Sequence, residues 1–270
     1  MSQKPPVAMI VAGSEATGAA GIQVDWKTLH QLGVYGMGAI TCIVSMDPKN
    51  NWDHRFEPVP PHIIADQMEA CINAFEPDTV KLGMMGTVPT IDTVSKALSE
   101  REWKNVVVDP VLICKGQFEG PGAEVDEALR DKLLPLATVV TPNVFEASTL
   151  SGIEVTDEKT LAQAAQRIGE MGPRYVLAKG GMELPGEEAV DLLWDGQKIT
   201  RYAVKKVGDK RVNGAGCTMA ASITAYLARG EDVHEAVRRA KQLVTAGIEA
   251  QISSNVPVPA LWQGGGVNRG

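Results

Sequence analysis

Val7-Ala8-Met9-Ile10-Val11-Ala12 runs straight into Gly13-Ser14-Glu15-Ala16-Thr17-Gly18-Ala19-Ala20-Gly21, and Ile22–Leu32 follows with apolar residues at helical spacing. A short apolar run rich in β-branched residues and closed by glycine reads as a strand, and the glycines permit a sharp turn into a helix. The unit recurs. Gly38–Ser45, Thr79–Leu82, Asn105–Val108, Thr138–Thr141, Tyr175–Ala178 and Val190–Trp194 read as strands, and Ile63–Phe75, Thr90–Ser99, Val125–Leu134 and Thr160–Met171 carry helical spacing. Such alternation builds an α/β fold, a mostly parallel sheet with helices on both faces. The last third changes character: Val190–Lys206 reads as a hairpin turning at Asp195–Gly196, followed by helices over Thr218–Arg229 and Val233–Ala250.

No internal repeat, low-complexity linker or break in composition divides the chain, so a single domain over residues 1–270 is expected, with a loose glycine-rich tail from about 263. Pro48–Pro61 holds four prolines and few apolar residues and reads as a flap or crossing loop.

The 33 acidic and 26 basic side chains leave a net charge of −7, and 44% of the 270 residues are apolar. That excludes disorder and collagen, and it argues against nucleic acid as a partner, because phosphate-backbone affinity comes from clustered Lys and Arg. Cys42, Cys71, Cys114 and Cys217 are widely spread, with no CxxC pair and no histidine at ligand spacing, which opposes a zinc site or a disulfide framework. The first apolar run is too short for a signal peptide, and no stretch reaches transmembrane length; the expected address is the reducing cytoplasm, with no membrane partner. The 27 glycines beside only 4 Phe and 4 Tyr point to a protein that works with its backbone.

Two glycine loops stand out. The Gly13–Gly21 loop lacks the Lys-Ser/Thr of a P-loop and the G-x-G-x-x-G of a dinucleotide fold, so by itself it is either a ligand loop or a tight βα turn. Val212-Asn213-Gly214-Ala215-Gly216-Cys217-Thr218 precedes an apolar helix, where backbone N–H groups form a site for an anion and for the charge of phosphoryl transfer. Cys217, in the first turn, is expected to be acidified by the helix dipole; the plainer alternative is a packing turn with a buried cysteine. At Thr141-Pro142-Asn143-Val144-Phe145-Glu146 a strand runs out into polar residues, and ligands of open α/β sheets bind beyond such ends. Glu146 suits Mg²⁺ or, alternatively, the dipole of a helix start. Asp109 and Lys179 stand at comparable ends, Lys179 either neutralising phosphate or lying on the surface.

Together with Gly33-Val34-Tyr35-Gly36-Met37, Lys81-Leu82-Gly83-Met84 and Val108-Asp109-Pro110-Val111, these segments resemble, in order and over nearly the whole chain, the ribokinase-like superfamily. The likeness is to its branch of small vitamin kinases acting on hydroxymethyl-pyrimidine and pyridoxal. It implies a three-layer sandwich, ATP and Mg²⁺ as cofactors, and a homodimer. It assigns Gly214, Ala215 and Gly216 to the anion hole, Cys217 to taking the hydroxyl proton, and Glu146 and Asp109 to the metal. Asn143, Lys179, Gly181 and Thr218 are assigned to ATP, with adenine expected around Lys205–Lys210 and Lys241–Val244. Gly13, Ser14, Ala20, Asp25, Met46 and Met84 are assigned to the vitamer.

Pyrimidine kinases usually carry Ala-Gln-Asn where this chain has Ser45-Met46-Asp47, and Met46 lacks the amide that pairs with a pyrimidine. Cys114, in an expected lid over Cys114–Gly122, resembles the pyridoxal-kinase members, whose thiol can add to an aldehyde. The resemblance therefore implies pyridoxal, with the hydroxymethyl-pyrimidine kinase as alternative. Asn213 and Glu15 depart from the His and Asp common in the family. A vitamer sensor without chemistry and a dinucleotide oxidoreductase are opposed by the intact Gly-Ala-Gly-Cys and the missing fingerprint, respectively.

Overall fold

The computed structural model describes residues 4–112 and 122–266. Nine strands form one sheet among these residues: β1 (Val7–Glu15), β2 (Tyr35–Asp47), β3 (Asp53–Pro58), β4 (Thr79–Leu82), β5 (Asn105–Val108), β6 (Val139–Val140), β7 (Tyr175–Gly181), β8 (Glu188–Trp194) and β9 (Ile199–Lys205). Their order is β3-β2-β1-β4-β5-β6-β7-β8-β9, parallel from β2 to β7 and antiparallel at β3, β8 and β9. Eight helices cover it: α1 (Gly21–Gln31), α2 (Pro61–Phe75), α3 (Val88–Ser99), α4 (Gly122–Lys132), α5 (Val144–Ser151), α6 (Glu158–Gly169), α7 (Ala215–Ala228) and α8 (Val233–Glu249).

Burial on both faces explains the continuous apolar strands. Met9 and Val11 face a core shared with α2, α3, α4 and α6, whereas Ala8, Ile10 and Ala12 face α1 and α7. Val106 and Val108 likewise oppose Val107, which meets α7 and α8. On the α1–α7–α8 face three positions carry charge where this alternation asks for an apolar side chain: Lys81 on β4, Lys179 on β7 and Asp191 on β8.

The proline-rich stretch differs from expectation. β2 runs on to Asp47 and folds back as β3, pairing Met46 with His54 and Ser45 with Arg55. β3 is exposed or half-buried at every position, so it lacks the alternation that marks a strand, and Phe56 packs over Gly86. The tail also differs: Gln263 is buried and donates to Thr218 Oγ1 at 3.3 Å, and Gly265 lies against Ala246, so the chain is packed through Gly265. Asn213 holds this segment by backbone bonds with Pro259 and Leu261, and its Nδ2 donates to Val258 O at 3.4 Å. No helix among the described residues is long and apolar enough to cross a membrane.

Candidate active site

α7 is buried on nearly all sides and fixes the centre of the site. Its N-cap, Gly214, has φ +83°, and a Cβ there would stand 2.5 Å from Ala19 O, so only glycine fits between this turn and the first loop. No side chain caps the helix and its first turn holds no acidic residue, so the N–H groups of Ala215, Gly216 and Cys217 have no partner along the helix. They form an anion cradle with the positive end of the dipole behind it.

The first loop closes against this cradle. Ser14 and Gly21 pair across it, and Gln23 Nε2 donates to Ser14 Oγ at 2.7 Å. The Glu15 carboxylate accepts from Thr17 N, Thr17 Oγ1 and Ala19 N, which makes Glu15 an internal staple. Gly13 sits where the β1–β2 register shifts; a Cβ there would come within 2.6 Å of Cys42 Sγ and 3.8 Å of Met84 Cβ. Gly13 and Met84 therefore lie side by side, and Ala19, next to Ala20, brings the same loop against Gly214. Met46 stands half-buried in the β2–β3 hairpin and makes no polar contact.

Charges of alternating sign cross the sheet below the cradle. Lys81 Nζ donates to Asp25 Oδ2 at 2.8 Å, both side chains sealed from solvent, while Asp25 Oδ1 is buried without a hydrogen-bond partner. Further along, Asp109 Oδ1 accepts from Lys179 Nζ and Thr141 Oγ1, each at 3.1 Å. Burial raises Asp25 to about 6 against the pull of Lys81. Burial also pushes Asp109 up, yet Lys179 and Lys81 hold it below the usual carboxylate range. Against the same desolvation, Asp25 and then Cys217 hold the Lys81 ammonium above its ordinary value, and Asp109 and Glu146 do so for Lys179.

Cys217 departs from the dipole expectation. Burial pushes its thiol up to about 11 against the pull of Lys81, Asp109 and Asp25 add to that push, and the Gly21 N–H opposes it. Desolvation is the larger effect here, so the resting thiol is neutral.

Glu146 serves as a helix-start residue and also faces the site. It forms a capping box on α5, its Oε2 accepting from Asn143 N at 2.8 Å while Asn143 Oδ1 accepts from Glu146 N at 2.9 Å. Burial, opposed by Lys179, raises it to about 8. A carboxyl raised above its unfolded value of 4.5 stabilises the fold fully below pH 4.5 and loses that contribution as pH rises through 8. Glu146→Gln keeps the cap but cannot ionise. Its melting temperature without ligand should exceed the parent's by a few °C at pH 9, with the gap closing at pH 5; equal gaps at both pH values would refute this burial of charge.

From Lys179 a cleft of about 280 Å³ runs between β7–β9 and α7–α8. Asn143, Lys179, Gly181, Ala215 and Gly216 line its polar end, and Val204, Val207, Val212, Val244 and Ile248 its apolar end. Lys205, Lys210, Lys241 and Val244, from the two stretches named for adenine, also line this cleft. Thr218 is not brought to the cleft: it is fully buried, its hydroxyl turned to Gln263, so the expected ATP contact by this side chain is corrected. Cys114 and residues 113–121 of the expected lid lie outside the described residues. Sequence reasoning missed Lys81, Thr141 and Asp191 as site residues.

The residues fit a nucleotide and its metal. The cleft pairs an apolar slot with a cationic, glycine-lined end, and Asp109 and Glu146 offer two carboxylates. Among the described residues no group of three or more His, Cys, Asp or Glu could hold a metal alone. Mg²⁺ commonly uses one or two carboxylates with phosphate oxygens and water.

Known proteins resemble this chain in sequence and in fold. The family model described as phosphomethylpyrimidine kinase matches residues 15–258. A pyridoxine kinase of Bacillus subtilis (strain 168) is 43% identical over 249 residues, 92% of each chain. The crystal structure of an ADP complex of B. subtilis pyridoxal kinase superposes with a TM-score of 0.93 at 41% identity, covering 97% of this chain and 98% of that one. For a phosphomethylpyrimidine kinase from Clostridium difficile 630 the TM-score is 0.77 at 35% identity, over 89% and 98%.

Proposed function

The chain belongs to the phosphomethylpyrimidine kinase family, and on that premise we propose that it transfers the γ-phosphoryl group of ATP to the 5′-hydroxymethyl group of pyridoxal, pyridoxine and pyridoxamine. The carrying observation is the uncapped α7 start, with Ala215, Gly216 and Lys179 at one end of a cleft whose other end is an apolar slot. The higher structural similarity to pyridoxal kinase, 0.93 against 0.77, favours pyridoxal over hydroxymethyl-pyrimidine.

Phosphoryl transfer asks the protein for position and for stabilised charge. Ala215, Gly216 and Cys217 N–H groups receive the transferring phosphoryl oxygens, and Lys179, supported by Asn143 and Gly181, neutralises the nucleotide phosphates. Asp109 and Glu146 would hold Mg²⁺, which offsets triphosphate charge when bound. Gly13, Ser14, Ala20, Met46 and Met84 shape the vitamer pocket, and Asp25 offers it the buried Oδ1 acceptor. Cys217, having lost its own proton to solvent as the thiolate forms in the loaded site, takes the hydroxyl proton at Sγ. Asp109 and Asp25 hold its thiol up in the resting state, so engagement of either in the loaded site removes one obstacle to the thiolate. Cys114 is the thiol that meets the aldehyde of pyridoxal. The active form is a homodimer, which sedimentation equilibrium decides.

Side-by-side turnover of pyridoxal, pyridoxine, pyridoxamine and the hydroxymethyl-pyrimidine tests the function. The B6 vitamers should be preferred, and Cys114→Ser should injure pyridoxal turnover more than pyridoxine turnover. Preference for the pyrimidine would transfer the protein to thiamin synthesis.

A further inference from the structure

The first loop uses its backbone N–H groups internally. Those of Glu15, Ala16, Thr17, Gly18 and Ala19 donate in turn to Gln23 Oε1, Val44 O, Glu15 Oε1, Glu15 O and Glu15 Oε2. None of the five is left for an anion, which separates this glycine loop from the α7 cradle. Glu15 is the centre of the arrangement: it is 5% exposed, and its Oε2 also accepts from Thr17 Oγ1 at 2.7 Å.

The clamp ends beside Cys217. Ala19 N is tied to Glu15 at 3.0 Å, and Ala19 O stands where it would meet any Cβ on Gly214. Two residues on, Gly21 pairs with Ser14, opens α1 and donates its N–H to Cys217 Sγ. Gly21 has φ +67°, and a Cβ on it would stand 2.4 Å from Gly13 O, so the neighbouring backbone fixes its place. The sulfur therefore stands at the start of two helices, α7 and α1. No side chain caps α1 and no acid occupies its first turn, so nothing there competes for the positive end of its dipole.

We propose that Glu15 is a positioning residue for Cys217: by closing the loop through Thr17 and Ala19 it holds the Gly21 N–H, with the start of α1 behind it, on the sulfur, and so stabilises the thiolate that takes the substrate proton. The inference rests on the Cys217 reading above. Glu15 acts through the loop. The charges that face the thiol come from other elements, Lys81 on β4, Lys179 on β7, Asp25 on α1 and Asp109 after β5, and a change at Glu15 leaves them in place.

Glu15→Gln sets an NH2 group against one of the two backbone N–H donors, and alkylation of Cys217 by iodoacetamide in the ligand-free protein reads the result without turnover. Below the thiol's own value the rate at fixed pH tracks the thiolate fraction. Labelling of Cys217 at pH 9, followed by peptide mass spectrometry, should be about tenfold slower than in the parent, the weight of one hydrogen bond to a charged group. In the same variant kcat should fall about as much, its rising limb moving up by about one pH unit, with KM for ATP unchanged. Glu15→Asp should restore both readouts, because a shorter carboxylate still accepts from the N–H two residues on. Thr17→Val removes one of the three bonds and should move both readouts the same way by about threefold, so the test stands even where Glu15→Gln does not fold. Faster or unchanged labelling of Glu15→Gln would overturn the assignment, since a loop that only shields the thiol exposes it when loosened; so would a loss confined to KM for pyridoxal. The two readings fail separately. Cys217→Ala turning over at the parent rate defeats the base assignment, whereas a Glu15→Gln cost that persists undiminished in Cys217→Ala defeats only this inference.

Discussion

Cys217→Ala is expected to abolish phosphoryl transfer while leaving ADP affinity close to that of the parent. General-base catalysis contributes roughly 10²–10⁴-fold, so turnover should fall by about that factor. The cradle survives, because Ala215, Gly216 and residue 217 still present N–H groups and alanine favours the helix. Calorimetry and initial rates on the same preparation check both halves; turnover at the parent rate would place the base elsewhere. The thiol itself gives a second readout. With burial raising it to about 11, iodoacetamide should label Cys217 slowly at pH 8 in the ligand-free protein and faster toward pH 11, as read by peptide mass spectrometry. Rapid labelling at pH 8 would mean that the helix dipole outweighs desolvation.

The strands and most helices were legible because strands buried on both faces carry unbroken apolar runs, as Val7–Ala12 and Asn105–Val108 do. β3 was not, because an edge strand exposed along its length has no apolar period to read. The cradle was legible from Gly214-Ala215-Gly216 at a helix start, a local pattern. What could not be read was whatever depends on partners distant in sequence. Lys81 meets Asp25 56 residues away, and Lys241 meets Asp191 50 residues away. A usable signal did exist, since each lysine stands where its strand or helix requires an apolar residue. Thr218 shows the converse: its motif was read correctly, but its side chain turns to Gln263, which only the fold brings near.

Lys81→Met should be the most destabilising single substitution on this face, costing about 3–5 kcal/mol, as breaking a buried ion pair does. In the parent, Lys81 is, among the described residues, the only hydrogen-bond partner of an Asp25 carboxylate whose other oxygen has none. Without the ammonium, only the upward push of burial and of Asp109 remains on Asp25, so the variant folds with that carboxyl protonated. The sign of the pH dependence follows. A folded carboxyl raised above its unfolded value contributes stability that is complete below the unfolded value and lost as pH rises toward the folded one. Lys81→Met should therefore lose more stability relative to the parent at pH 8 than at pH 5. Lys81→Met/Asp25→Asn, which removes both charges, should recover most of the loss at pH 8, and chemical denaturation of the three proteins at both pH values measures this. A single variant as stable as the parent at pH 8 would show that the pair is not a buried charge pair. Recovery of stability should bring no recovery of turnover, because Lys81 also pulls the Cys217 thiol down and, in the proposed function, the unpartnered Asp25 oxygen is the vitamer's acceptor. Folding and catalysis thus use the same two charges for different ends, and the double variant separates them.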